Sequence, residues 1–134
     1  MSKILNISEA ASIAIHSMAL IAASGERLNV GMLAQRTSFS KNHIAKVLNQ
    51  LVKNSFLTSE RGPNGGFVLS RPAESISLLS IYESVEGSLD TPVCTMKCSL
   101  CEQCGCVFGG LSGRFQKEFK EYLQNKMVSD LINL

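Results

Sequence analysis

The stretch from Asn29 to Ser70 constrains the fold more than any other part of this chain. From Lys41 to Asn54 the apolar residues Ile44, Ala45, Val47, Leu48, Leu51 and Val52 recur at spacings of three and four, which puts them on one stripe of a helix. The other face carries Lys41, Asn42, His43, Lys46, Asn49, Gln50 and Lys53, and Ser40 stands where an N-cap belongs. Upstream, Asn29 caps a shorter predicted helix, Val30–Arg36, with Met32, Leu33 and Ala34 inside, and Thr37-Ser38-Phe39 makes a tight turn. A short helix, a turn and an amphipathic helix with a polar, basic outer face follow the helix-turn-helix plan, whose second helix enters the major groove of DNA.

Two short strand-like runs come next, Phe56–Glu60 and Gly66–Ser70, joined by Arg61-Gly62-Pro63-Asn64-Gly65. Asn-Gly signals a hairpin because both residues accept positive φ. A hairpin directly after a recognition helix is a wing, and its tip suits a phosphate or the minor groove. The charge order agrees. No acidic residue lies between Glu26 and Glu60, whereas Arg27, Arg36, Lys41, His43, Lys46 and Lys53 do. In a chain of net charge only +2, that local basic field points to a polyanion-binding face, the alternative being an ordinary solvated surface. The DNA-binding candidates are Ser40, Lys41, Asn42, His43, Lys46, Asn49, Gln50, Arg61 and Asn64.

The flanks complete the plan. Ser8 caps a first helix, and the run Ala10–Ala23 is apolar on nearly every face, too short to span a bilayer and suited to burial. Ser24-Gly25 ends it. Arg71-Pro72 breaks the chain before a short helix, Leu78–Val85, closed by Gly87. After Gly109-Gly110 a long helix is predicted from Leu111 to about Met127, with Phe108, Leu111, Phe115, Phe119 and Tyr122 repeating on one side. Such a helix at the end of a small chain is expected to pack against a symmetry mate; packing within the chain is the alternative. The fold class that follows is mainly α with a small β-hairpin wing: a winged helix-turn-helix domain over 1–87, a cysteine-rich loop over 88–110, and a dimerisation helix and tail over 111–134. At 134 residues the chain buries a real core without covalent staples.

All five cysteines, Cys94, Cys98, Cys101, Cys104 and Cys106, fall in that loop. The first residues lack a charged segment leading into an apolar run and a cleavage site, so the protein is expected in the cytoplasm with no membrane association. Thiols stay reduced there, which favours metal or redox chemistry over structural disulfides. Structural zinc usually takes two separated Cys-x-x-Cys knuckles, and this loop has no second knuckle. An iron–sulfur cluster needs several soft thiolates converging, and Gly105, Gly109 and Gly110 give the backbone that freedom. Iron–sulfur is the favoured expectation; zinc and metal-free thiol sensing stay open, as does 2Fe-2S against 4Fe-4S. No P-loop, dinucleotide fingerprint, Ser/His/Asp set or paired-carboxylate set is visible, which argues against an enzyme.

The wing sequence Arg61-Gly62-Pro63-Asn64-Gly65-Gly66-Phe67, preceded by Leu51-Val52-Lys53-Asn54 and followed by a cysteine loop and a long helix, resembles the Rrf-two family of bacterial regulators, over Leu5–Leu134. The resemblance implies a winged-helix homodimer that binds palindromic, double-stranded promoter DNA. Several such regulators hold an iron–sulfur cluster in the loop before the dimerisation helix and sense iron–sulfur, redox or nitric oxide status. A metal-free, thiol-based redox-sensing repressor of the same fold is the alternative, and a small iron–sulfur electron carrier a remoter one. Family ligands fall on Cys94, Cys98 and Cys104, the last two at the family's five-residue spacing; the gap from Cys94 to Cys98 is shorter than usual, and Cys101 and Cys106 are additional. Cys98-Cys101-Cys104 also spells the C-x-x-C-x-x-C run of ferredoxins, which makes Cys101 the first replacement and Cys106 a secondary candidate. In nitric-oxide-sensing members a fourth ligand comes from the first helix of the opposite subunit. The matching position here is Ala10, which cannot ligate, so the nearby Glu9 and His16 are the candidates, with an extra cysteine as the alternative.

Overall fold

The computed structural model describes residues 7–90 and 99–132; Cys94 and Cys98 lie outside the described residues. The first helix, α1 (Glu9–Ser24), starts where the Ser8 hydroxyl accepts the Ala11 N–H at 3.1 Å and ends at Gly25, whose φ of +66° is left-handed. Its residues Ala11, Ile13, Ala14, Met18 and Ile21 are buried, in keeping with an apolar sequence on nearly every face. In α2 (Val30–Arg36) the Asn29 side chain accepts the Met32 N–H at 2.8 Å. In α3 (Lys41–Lys53) Ser40 accepts the His43 N–H at 3.2 Å. The turn between them is held by the Thr37 hydroxyl, which donates to the Leu33 carbonyl at 2.8 Å. Ile44, Val47, Leu48 and Leu51 of α3 are buried, as their periodicity predicts.

Met32 departs from expectation: it is 42% exposed, while its neighbour Leu33 is fully buried. Val30, Leu33 and Ala34, at i, i+3 and i+4, form the stripe of α2 that packs on the core, and Met32 lies off that stripe.

The wing consists of β1 (Leu57–Glu60) and β2 (Gly66–Leu69), antiparallel, with Leu57 opposite Leu69 and Glu60 opposite Gly66. The connection is therefore Arg61–Gly65, longer than the two-residue turn that Asn-Gly favours. Positive φ falls at Gly62 (+112°) and Gly66 (+156°), not at Asn64-Gly65, and the Gly65 N–H closes the loop on the Gly62 carbonyl at 2.9 Å. The α1–α2 connection joins the wing, because Leu28 and Phe67 exchange backbone hydrogen bonds of 3.3 and 2.9 Å.

A 3-10 turn, Ala73–Ser75, leads into α4 (Leu78–Glu86), capped by Ser77. Then come α5 (Ser99–Cys104), α6 (Leu111–Asn125) and α7 (Val128–Ile132). The predicted final helix breaks two residues early because Lys126 turns extended. Its carbonyl accepts the Leu78 N–H at 2.8 Å, and the Val128 N–H donates to the Ile76 carbonyl at 2.9 Å. This bridge pins the end of the chain to the start of α4 and lays α7 against α1. Val128 is fully buried in the one core that also holds Ile13, Met18, Leu33, Ile44, Leu48, Leu51, Ile76 and Ile81. Each such Ile or Leu contributes roughly 1.5–3 kcal/mol. Among the described residues no helix is long and apolar enough to cross a membrane.

Candidate nucleic-acid interface and cysteine loop

Burying Ile44, Val47, Leu48 and Leu51 forces the other side of α3 outward, and Lys41, Asn42, Lys46, Asn49 and Lys53 are exposed there. Among the described residues none of Arg36, Lys41, Lys46, Lys53 and Arg61 forms a salt bridge, so this basic field is not compensated by the fold itself. Arg27 differs: its guanidinium meets Glu60 at 2.6 Å. That pairing occupies Glu60 on the strand that leads into Arg61, and among the described residues Arg61 has no ionic partner. Asn64 lines an open depression of about 400 Å³ between the wing and α2, with Asn29, Met32 and Pro63.

Three candidates have protein partners. The Ser40 hydroxyl serves as the α3 cap. Gln50 sits at the edge of α3 facing α4, where its side-chain amide donates to the Ser84 carbonyl at 2.9 Å. His43 lies against Glu9, with Nδ1 at 3.2 Å from Oε1. The His16 Nδ1 is 2.7 Å from the Ser12 carbonyl, and its ring packs edge-on against Phe39 at 6.1 Å. Among the described residues no group of three His, Cys, Asp or Glu side chains converges.

In the sequence Arg71 reads only as a chain break before Pro72. Its guanidinium lies over the Phe56 ring at 4.5 Å, and its Nε donates to the Ser55 carbonyl at 3.2 Å. It thus satisfies backbone oxygens where α3 gives way to the wing. Nothing in the spacing of a lone Arg before Pro announces that role, which needs the return of β2 alongside Phe56.

The chain leaves α4 toward the cysteines under restraint. Glu83 accepts the Leu89 N–H at 2.8 Å, the Gln116 amide donates to the Leu89 carbonyl, and Lys120 pairs with Asp90. Hydrogen bonding from Lys120, and its charge, hold the Asp90 carboxyl below the usual carboxylate range. Beyond the undescribed residues, Cys101 and Cys104 fall within α5, and Cys106 follows, exposed. Backbone N–H groups, that of Gly110 first and then that of Phe108, hold the Cys106 thiol below the usual cysteine range.

Helix α6 carries an apolar arc wider than one contact needs. Phe119 and Leu123 face inward, with Phe119 edge-on to Tyr82 at 5.3 Å and Leu123 buried. Leu111, Phe115 and Tyr122 lie farther round the same arc, and Phe115 and Tyr122 are 44% and 55% exposed. Phe108, at the end of the loop, is 74% exposed. The single stripe expected from the sequence therefore divides into a half packed on its own chain and a half left open.

A family profile described as Rrf2, iron-dependent transcriptional regulator, matches residues 7–134. The HTH-type transcriptional regulator IscR of Erwinia tasmaniensis is 28% identical over 103 residues, 75% of this chain and 61% of that protein, so the chain spans under two thirds of that relative's length. Among solved structures, CymR (YrzC), described as the global cysteine regulator of B. subtilis, superposes with a TM-score of 0.79 at 21% identity, covering 96% of this chain and 97% of that one. IscR of T. potens superposes with a TM-score of 0.73 at 18% identity, covering 96% and 87%. Both carry the same mainly helical fold with a two-stranded wing, and these relatives are regulators rather than enzymes. With the profile spanning the chain from α1 to its end, the protein belongs to the Rrf2 family of transcriptional regulators.

Proposed function

We propose that the protein is a cytoplasmic homodimer that grips palindromic promoter DNA with α3 and the wing, and holds an iron–sulfur cluster, 2Fe-2S or 4Fe-4S, on the Cys94–Cys106 loop. The observation that carries this reading is where the five thiols sit: between the Leu89–Asp90 restraint and the start of α6, whose outer apolar half is open. The family description, iron-dependent, supports an iron-containing group. The donor set fits it in type, since thiolates are the usual cluster ligands. Cys94, Cys98 and Cys104 would hold the group, with Cys101 the first replacement. When bound, it supplies a redox couple and iron that oxidants or nitric oxide attack. The chain's own part is mechanical. Glu83, Gln116 and Lys120 fix the start of the loop to α4 and α6, so a change in loop geometry acts on the helix that pairs two subunits. A shift there alters the spacing of two recognition helices, which sets half-site fit.

A second reading, metal-free thiol sensing, is favoured by one observation: Cys106 is exposed with its thiol held below the usual range, the setting of a reactive cysteine. The fold likeness to a cysteine regulator accords with it. Anaerobic purification followed by visible absorbance, iron and sulfide assays separates the two. A coloured protein carrying iron and sulfide together establishes the cluster. A colourless, iron-free protein whose DNA affinity falls on treatment with peroxide or disulfide establishes the thiol sensor.

A further inference from the structure

Glu9 stands in the first turn of α1 and His43 in the first turn of α3, with the carboxylate Oε1 3.2 Å from the ring Nδ1. An exposed pair of this kind adds little stability. Its placement is what matters. The stretch that builds α2 and α3 contains no acidic residue, and Glu9 is the carboxylate that α1 brings to the outer face of α3.

Resting on the assignment of α3 to the major groove, we infer that Glu9 is a positioning residue for DNA reading, and that through it His43 selects the base it faces. An ionised carboxylate only accepts hydrogen bonds, so Nδ1 must carry the proton in this contact. In neutral imidazole the lone pair then lies on Nε2, which has no hydrogen-bond partner among the described residues. His43 is thereby an acceptor. In the major groove an acceptor matches the exocyclic amine of cytosine or adenine and conflicts with the O6 and N7 of guanine and the O4 of thymine. Without Glu9 the ring turns freely and takes either tautomer, so the same histidine meets donors and acceptors alike. Lys46 and Lys53 cannot substitute, because an ammonium only donates.

The test is selection from a pool of randomised duplexes at mildly alkaline pH, using the full chain as wild type, Glu9→Gln, Glu9→Ala and His43→Ala, each checked for an unchanged thermal melt. Gln keeps an oxygen acceptor for Nδ1–H and removes the charge. Wild type and Glu9→Gln are expected to enrich cytosine or adenine at one position of the bound site by about tenfold over guanine and thymine. Glu9→Ala is expected to reduce that preference to about twofold or less with other positions unchanged, and His43→Ala to abolish it without altering the salt dependence, since no phosphate contact is lost. An unaltered preference in Glu9→Ala or in His43→Ala overturns the inference. A Glu9→Gln variant that behaves like Glu9→Ala does the same, because charge and not the acceptor would then be at work. If wild-type protein enriches no sequence and heparin strips it from every duplex, the DNA-reading role of α3 falls and the inference with it.

Discussion

The side-chain amide of Gln50, on α3, donates to the backbone carbonyl of Ser84, on α4, at 2.9 Å. The residue before Ser84 is Glu83, which holds the Leu89 N–H at the start of the cysteine loop. Two neighbouring residues of α4 thus touch α3 on one side and the start of the cysteine loop on the other. Gln50→Ala should lower unfolding stability by roughly 0.5–1.5 kcal/mol, the usual worth of one such bond, with DNA affinity at fixed salt little changed. Urea denaturation and a binding titration measure both. Full stability combined with lost affinity would place Gln50 on the DNA instead.

Lys46 and Arg61 have no ionic partner among the described residues, and they sit on the two elements that a winged helix presents to DNA. Lys46→Ala should weaken binding and reduce the slope of log affinity against log salt by about one if it neutralises one phosphate. Arg61→Ala should cost roughly 1–3 kcal/mol of affinity. Mobility-shift titrations over a range of salt test each. A Lys46→Ala protein with the wild-type slope removes that residue from the interface.

Phe115 is the centre of the open half of the α6 arc. Phe115→Asp puts a charge where a second copy would pack, while Phe119 and Leu123 still hold α6 to its own chain. Sedimentation should show the proposed dimer for the wild type and a monomer for the variant, with an unchanged helical circular dichroism spectrum. A variant that stays dimeric would move the subunit contact off this face.

Each cysteine can be tested alone. Serine at Cys94, Cys98 or Cys104 should bleach an anaerobically prepared protein, whereas Cys106→Ser should leave its visible spectrum intact. The depressed Cys106 thiol makes a separate claim. Its thiolate persists as pH falls below the ordinary cysteine range, so a variant keeping Cys106 alone should be alkylated by iodoacetamide faster than free cysteine at neutral pH. Bleaching by Cys106→Ser with colour retained in Cys98→Ser would reverse the ligand assignment.

Gly66 sits where the wing meets the α1–α2 connection. A Cβ there would lie 2.9 Å from the Leu28 carbonyl carbon and oxygen, at a φ of +156°. The obstacle is backbone and cannot swing aside. Gly66→Ala should therefore destabilise by about 2 kcal/mol or more, read as a lower melting temperature. Gly62→Ala offers a comparison: its φ is +112°, but nothing lies within 4 Å of an added Cβ.

Local signals carried most of the secondary structure. Ser8, Asn29, Ser40 and Ser77 cap the helices that follow them because a side-chain oxygen and the first free N–H groups meet within one turn, whatever the rest of the chain does. The three- and four-residue spacing of Ile44, Val47, Leu48 and Leu51 likewise determined which side of α3 is buried and which faces outward. The acid-free window and the thiol cluster are plain in the order of residues.

Other features were decided only when distant segments met. Asn64-Gly65 did not make the tight turn its dipeptide favours, because pairing of Glu60 with Gly66 set a longer connection. Met32 was turned outward because Val30, Leu33 and Ala34 make the stripe of α2 that meets the core, and Met32 lies off it. The one apolar stripe of α6 became two faces when Tyr82 and the core claimed Phe119 and Leu123 and left Phe115 and Tyr122 open. Glu9 meets His43, and Gln50 meets Ser84, across gaps of 34 residues. Periodicity states which residues share a face; it does not state what that face meets, since side-chain partners are set by how helices cross, and that depends on the whole core.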